Sequence, residues 1–288
     1  MNKVLIIPML LALIIAPDLY GQAQRVTYAN RNQIENFFSS RTMVVMDANP
    51  MIGYNIVIRD AVSKYWTITP YEIITADRFD ELHNDPALSF IFLSMVQLER
   101  DKQDAIYLYM NIVMGARGVR DITALPELLS LPLAYTGVDE ESYVDVLPLM
   151  LRFAQIHINN KRAARNPSSL NNLRSYNNSN ARLLRNMTLL VQESDLSEEV
   201  NTIEKIQSVY TGTVRIVSSE EIVQAIEEKR PNTAILHQVS PGEDDNIGRS
   251  YCQIFGTEDG KLYYFNHQGI TQRRPAGMLA RDFRLIGR

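Results

Sequence analysis

Apolar and polar positions change period several times along the first half of the chain. Thr42–Asp47 reads TMVVMD, an apolar run of strand length. Tyr54, Ile58, Ala61, Val62 and Tyr65 then fall at i, i+4, i+7, i+8 and i+11, which is one face of a helix. YEIIT predicts a second strand and DRFDELHN a short helix stopped at Asp85-Pro86. SFIFLSMV and AIYLYMNIVMG predict a third and a fourth strand on either side of the polar turn Arg100–Asp104. The order is β-α-β-α-β-β.

The same layout returns about 140 residues later. MTLLVQ reads as the first strand, Val200, Ile203, Ile206 and Tyr210 as the helix face, and VRIVS as the second strand. Ser218-Ser219-Glu220-Glu221 offers a capping box for a helix that ends at Arg230-Pro231. TAILHQV follows, and SYCQIFG and KLYYFNH form a hairpin around the turn pair Asp259-Gly260. In this alignment Trp66-Thr67 matches Tyr210-Thr211, Tyr71–Thr75 matches Val214–Ser218, and Phe79 matches Ile222. The single tryptophan therefore falls where a helix ends and feeds a buried strand, so it is expected in the core rather than in a site. The fold class expected is α/β, a tandem duplication of a β-α-β-α-β-β(-α) domain. A helix and a polar basic linker over residues 159–183 join a first domain, 36–158, to a second, 184–288.

The helix that enters the linker, Asp139–Ile158, carries two apolar rows. Val144, Leu147, Leu151, Ala154 and Ile158 make one; Val146, Met150 and Phe153 make the other and are the expected partner or interdomain face. Pro148 marks a kink or a late start. From Val146 to Gln192 there is no acidic residue but seven cations: Arg152, Lys161, Arg162, Arg165, Arg174, Arg182 and Arg185. This segment reads as a solvated tether or as a strap against the acidic helices of the second half. The alternative makes Arg162, Arg165 and Arg174 a contact for an anionic envelope surface, a lipid headgroup or a cell-wall polymer.

Composition narrows the classes. The 288 residues are 45% hydrophobic and 22% charged, room for two ordinary globular domains. A net charge of -4 and a pI near 5.7 argue against a nucleic-acid binder. Residues 1–23 have one early cation, Lys3, an apolar run from Val4 to Ala16 and small residues at Gly21-Gln22-Ala23, the form of a cleaved signal peptide. No cysteine lies near for a lipid anchor, and no second apolar run is long enough to span a bilayer. The expected location is the periplasm or the exterior. Cys252 stands alone, so no intramolecular disulfide forms, and its strand-like setting reads as a buried small hydrophobe.

Chemical motifs are sparse. HExxH, CxxC, GxSxG, P-loop and GxGxxG patterns are absent, and His83, His157, His237 and His267 have no metal-ligand spacing. No catalytic residue, metal or cofactor is assigned. His237, His267 and Cys252 fall near strand ends in one half, and Asp244 and Asp245 in a loop without an evident partner. Gly115 and Gly118 read as turn glycines or as an anion contact.

RTMVVMDANPM, AVSKYWTITPYEII, PELLSLPLAYTGVDEESYV, LRFAQIH, NTAILHQVSPG and DGKLYYFNH together resemble a family of secreted proteins of Bacteroidetes-type bacteria that carries no assigned activity. In topology alone, each half is similar to the amino-terminal α/β domain of the periplasmic protein TolB and to curli-secretion channel components. That resemblance implies a module that docks onto envelope machinery; the β-propeller typical of TolB is missing. The expectation is a non-catalytic protein that binds an envelope partner through tandem domains. Its alternative is a small-ligand binder or hydrolase with a site in the interdomain cleft. A cleft converging His237, His267 and a carboxylate would favour the second, a closed apolar contact the first.

Overall fold

The computed structural model describes residues 13–16, 26–98, 105–136, 138, 143–241 and 248–288. The rest of the amino-terminal run, residues 139–142 and the acidic loop with Asp244 and Asp245 lie outside them.

The first half builds a sheet in the order β3-β2-β4-β5-β6. Its strands are β2 (Arg41–Val45), β3 (Tyr71–Ile74), β4 (Leu88–Leu98), β5 (Ile106–Met114) and β6 (Glu127–Tyr135). A further strand, β1 (Leu13–Ala16), runs parallel to the end of β4. The second half builds β8-β7-β9-β10-β11. These are β7 (Thr188–Val191), β8 (Thr213–Ile216), β9 (Thr233–Val239), β10 (Arg249–Gly256) and β11 (Leu262–Gly269). In each half the first three strands are parallel and the last two are added antiparallel. The two halves are similar, and the expected α/β duplication holds.

The repeat extends to the ladder. Arg41 N donates to Ala87 O and Thr188 N to Asn232 O, opening the pairing with the third strand alike in both halves. Thr42 then lies opposite Tyr71, and Leu189 opposite Val214, so Tyr71 and Val214, matched in the alignment, take the same place in the two ladders.

Helices α2 (Gly53–Tyr65) and α6 (Ile203–Gln207) connect the first two strands of each half, and α3 (Ala76–Leu82) and α7 (Ser219–Glu227) the next two. Trp66 closes α2 through its backbone N–H on Val62 O, is buried, and donates its indole N–H to Thr69 Oγ1 at 2.9 Å. Tyr210 closes α6 on Ile206 O in the same way and is equally buried. Both aromatics cover the joint between helix and strand.

Three segments depart from the reading of the sequence, and the helix at Pro148 takes the second of its two expected forms. A short helix α1 (Arg31–Phe37) opens the first half with a capping box of Asn30 and Gln33. ELLSLPLAY forms β6, an edge strand, where a sheet tolerates a residue without an N–H such as Pro132. The long helix α4 (Leu147–Ala163) begins late, after a 3-10 turn at Val144–Val146, with Pro148 in its first turn. Residues 159–183 are not an extended tether. They carry the end of α4, a 3-10 turn at Pro167–Leu170, α5 (Leu173–Asn177) and the start of a 3-10 stretch over Asn178–Asn186. Leu170, Leu173, Asn177, Ala181 and Leu184 are buried, and this stretch packs on β11. A last helix, α8 (Ala280–Ile286), closes the chain.

Both apolar rows of α4 are buried. Leu147, Met150, Leu151, Phe153, Ala154 and Ile158 join a core that also holds Leu190, Ile222, Ile235, Val239 and Phe255 from the second half. Phe153 meets Phe255 edge-on, centroids 6.0 Å apart. One core therefore spans both halves. A second core lies in the second half, between its sheet and α8, and takes in Ala181 from the linker.

Candidate functional site

The edge strand β6 is where the halves join. Its register against β5 slips at Leu108/Tyr109, and the carbonyls of Pro132 and Leu133 both accept from the second half. Gln253 Nε2 donates to Pro132 O at 2.7 Å and His237 Nε2 to Leu133 O at 2.9 Å. Nearer the start of the strand, Lys161 Nζ donates to Leu128 O at 2.7 Å. A carbonyl only accepts, so Nε2 of His237 carries the proton. Burial lowers the pKa of the ring to about 4 against that bond. His237 is a neutral strut.

Beyond this seam the halves separate into a crevice of about 790 Å³. Its walls are the end of β6 with Tyr135, the turn carrying Tyr143, Asp145 and Val146, the inner face of α7 and the end of β9. Its floor is the loop after β7, from Gln192 to Glu198. β7 and β9 run parallel, so their carboxyl ends open here, the usual position of a ligand crevice in an α/β sheet.

The lining is one-sided in charge. Among the described residues it holds three carboxylates, Asp145, Asp195 and Glu198, four serines, Ser194, Ser197, Ser219 and Ser240, and the amides Gln192 and Gln238, but no lysine or arginine. Burial raises the Asp195 carboxyl to about 7, against the backbone of Gln192, which favours its charged form. The Ser197 hydroxyl is buried and has no hydrogen-bond partner among the described residues. A buried hydroxyl left in that state costs about 1–3 kcal/mol.

Asp195 and Ser197 are fixed from behind. Met278 N donates to Asp195 O at 2.8 Å and Ser197 N to Met278 O at 3.1 Å. Gly277 makes this approach feasible: its φ is +86°, and a Cβ there would lie 2.8 Å from Ser197 N. Only glycine meets both demands.

The other expected features fall elsewhere. His267 is exposed on β11, its ring against Tyr251 and Phe265, so it does not converge with His237. His83 is held by the carbonyl of Val119 at 3.0 Å, and His157 is buried between Phe153 and Tyr176. Cys252 is buried with its thiol on Gln238 Oε1, and burial pushes that thiol up, away from a nucleophile's range. A Cβ at Gly115 would overlap the carbonyl of Asp85, so close packing accounts for that glycine. No cluster of three metal-ligating side chains occurs among the described residues.

Of the residues expected to meet a partner or the other half, Val146 lines the crevice, while Met150 and Phe153 are spent in the shared core. Arg162 pairs with Glu35 at 2.8 Å and lies 4.2 Å over the ring of Phe38. Arg165 and Arg174 are exposed. Arg152 donates to the carbonyls of Thr257 and Glu258 and so braces the β10–β11 turn. No protein-family model, curated protein or solved structure matches the chain.

Proposed function

We propose that this is a secreted or periplasmic binding protein that catalyses no reaction and receives a protonated amine, on a small molecule or an envelope partner, in the crevice between its halves. The observation that carries the reading is the lining, where the carboxylates of Asp195 and Glu198 and four serine hydroxyls lie together with no lysine or arginine among the described residues. A desolvated carboxylate such as Asp195 regains its charge when an ammonium group lies against it. The Ser197 hydroxyl would gain an acceptor or donor in the same event. Val146, Ile222 and Val223 offer apolar contact to the carbon chain of such an amine.

Catalysis is disfavoured by the same geometry. The Nε2–H of His237 is committed to Leu133, and its ring is too weakly basic for proton abstraction near neutral pH. The location rests on the apolar run ending at Gly21-Gln22-Ala23, and no helix among the described residues is long and apolar enough to cross a membrane.

A thermal-shift panel tests the amine reading. Cadaverine and lysyl dipeptides should raise the unfolding temperature, whereas glucose and citrate should not. Asp195→Asn should reduce the response. Equal shifts with glucose, or a variant that responds like the parent, would reject it.

A further inference from the structure

Arg41, Arg78, Arg162, Arg215 and Arg230 each pair with a glutamate on the surface. One group of arginines on the second half does not. Arg174, Arg182, Arg185, Arg281 and Arg284 are exposed, and none of them makes an ion pair among the described residues. Arg281 donates to Gln268 Oε1 at 3.4 Å, the single side-chain hydrogen bond of the group among those residues.

The five come mainly from two elements that pack together, the 3-10 stretch Asn178–Asn186 and α8. Arg182 and Arg185 stand three apart on the first, one row of a helix with three residues per turn, while Ala181 and Leu184 form the buried row beside it. Arg281 and Arg284 stand three apart on α8, whose other side buries Ala280, Phe283 and Ile286. Burial raises the phenols of Tyr210 and Tyr264, and a nearby cation works against it in each case, Arg185 at Tyr210 and Arg174 at Tyr264. Tyr210 meets Phe283 of α8 with ring centroids 5.8 Å apart, and Tyr264 donates to Asp282 of α8 at 2.7 Å. The linker arginines therefore border the helix that carries Arg281 and Arg284.

The carboxylates that touch α8 are already engaged. Asp282 is buried and accepts from Tyr264, Asn266 and the backbone of Leu279, and Glu199 accepts from Ala280 N. Like charges gathered on one face repel one another, on a chain whose net charge is -4. A guanidinium keeps its charge at any working pH and meets a phosphate through two parallel N–H donors. The face also carries apolar groups: Leu183, between Arg182 and Arg185 in the chain, is 45% exposed, and Leu285 is half-buried next to Arg284. An exposed leucine among cations gains little from a polysaccharide or a nucleic-acid backbone, but is stabilised at the acyl boundary beneath anionic headgroups.

We propose that this arginine face docks on the phosphate headgroups of an anionic lipid bilayer, with Leu183 entering the interface. Arg174 is shared with the contact expected from the sequence, whereas Arg162 is paired with Glu35. The docking face is separate from the amine crevice, and neither depends on the other.

Co-sedimentation of the full chain with vesicles tests it. At low salt, vesicles of phosphatidylcholine mixed with phosphatidylglycerol should bind the chain, plain phosphatidylcholine should not, and added salt should weaken binding. Arg182→Ser with Arg185→Ser should weaken it about tenfold or more, since each cation near an anionic surface contributes roughly fivefold. Arg281→Ser with Arg284→Ser should do the same, so the result does not hang on the folding of one variant. Arg215→Ser, which removes a paired arginine, should leave binding within about twofold. Leu183→Ser should weaken binding to vesicles about threefold or more and leave binding to soluble polyphosphate unchanged. Equal binding to both kinds of vesicle, a loss shared by Arg215→Ser, or Leu183→Ser without effect on vesicles while polyphosphate binds more tightly than they do, overturns the proposal. So does absence of binding by the parent chain at low salt.

Discussion

The imidazole of His237 donates across 2.9 Å to the carbonyl oxygen of Leu133, so a side chain from the second half completes the edge strand of the first. Gln253 does the same for Pro132 one residue earlier. With Phe153 against Phe255, these contacts make the halves parts of one cooperative body despite their separate sheets.

The first prediction is that the halves unfold together. Calorimetry should show one transition, and His237→Ala should lower it as a whole, by about 2–4 kcal/mol for a cavity plus an orphaned carbonyl. Two resolved transitions, only one of them moved by the substitution, would contradict a shared core.

Acid should loosen the same contact. The pKa of His237 is about 4 in the fold against 6.5 for the free side chain. The unfolded chain therefore binds the extra proton between those values. The contribution of His237 is complete above about 6.5 and is lost as pH falls toward 4. Asp195 and Glu127, both raised to about 7, act with the opposite sign and lose their contribution as pH rises to that value. A His237→Gln variant keeps a donor for Leu133 but does not titrate. The stability of the parent relative to this variant should increase between pH 4 and 6.5 by at most about 1.4 kcal/mol per pH unit. A difference that is flat in pH, measured by urea unfolding, would show that His237 is not buried neutral.

Gly277→Ala should cost about 1–3 kcal/mol from its positive φ and its clash with Ser197. Because the displaced loop carries Asp195 and Ser197, amine binding should weaken more than stability falls. A variant of unchanged affinity would separate Gly277 from the site.

The two equivalent joints should respond differently. Trp66→Ala removes a buried ring that is also hydrogen-bonded to Thr69 and should cost about 3–5 kcal/mol. Tyr210→Phe should be neutral or slightly stabilising, because the Tyr210 hydroxyl is buried with no partner among the described residues. Chemical denaturation of both variants checks this.

The duplicated layout was legible because each strand is short, apolar and bounded, and because Trp66 and Tyr210 mark the same joint. β6 was hidden by Pro132 inside it and Pro126 just before it, which read as breaks until the strand is known to lie at an edge. The folded linker carried a signal that its asparagines diluted: Leu170, Leu173, Asn177, Ala181 and Leu184 recur at three- and four-residue steps and are the positions that bury. The crevice was not legible. Asp195 and Ser197 belong to an ordinary polar loop, and their importance comes from Gly277 and Met278, some eighty residues on, which only the tertiary structure brings to them. Position at the carboxyl end of a parallel strand is the one cue in the sequence that points toward that loop.

The most direct measurement of the central claim is the proton balance of binding. Calorimetric titration of cadaverine at pH 7, repeated in buffers of different ionisation enthalpy, counts protons exchanged. With the carboxyl of Asp195 near 7, an ammonium group drawn against it favours the charged form, so about half a proton should be released per ligand bound. Asp195→Asn should release none and bind more weakly. Binding without proton release, or release that persists in the variant, would contradict an amine site at Asp195.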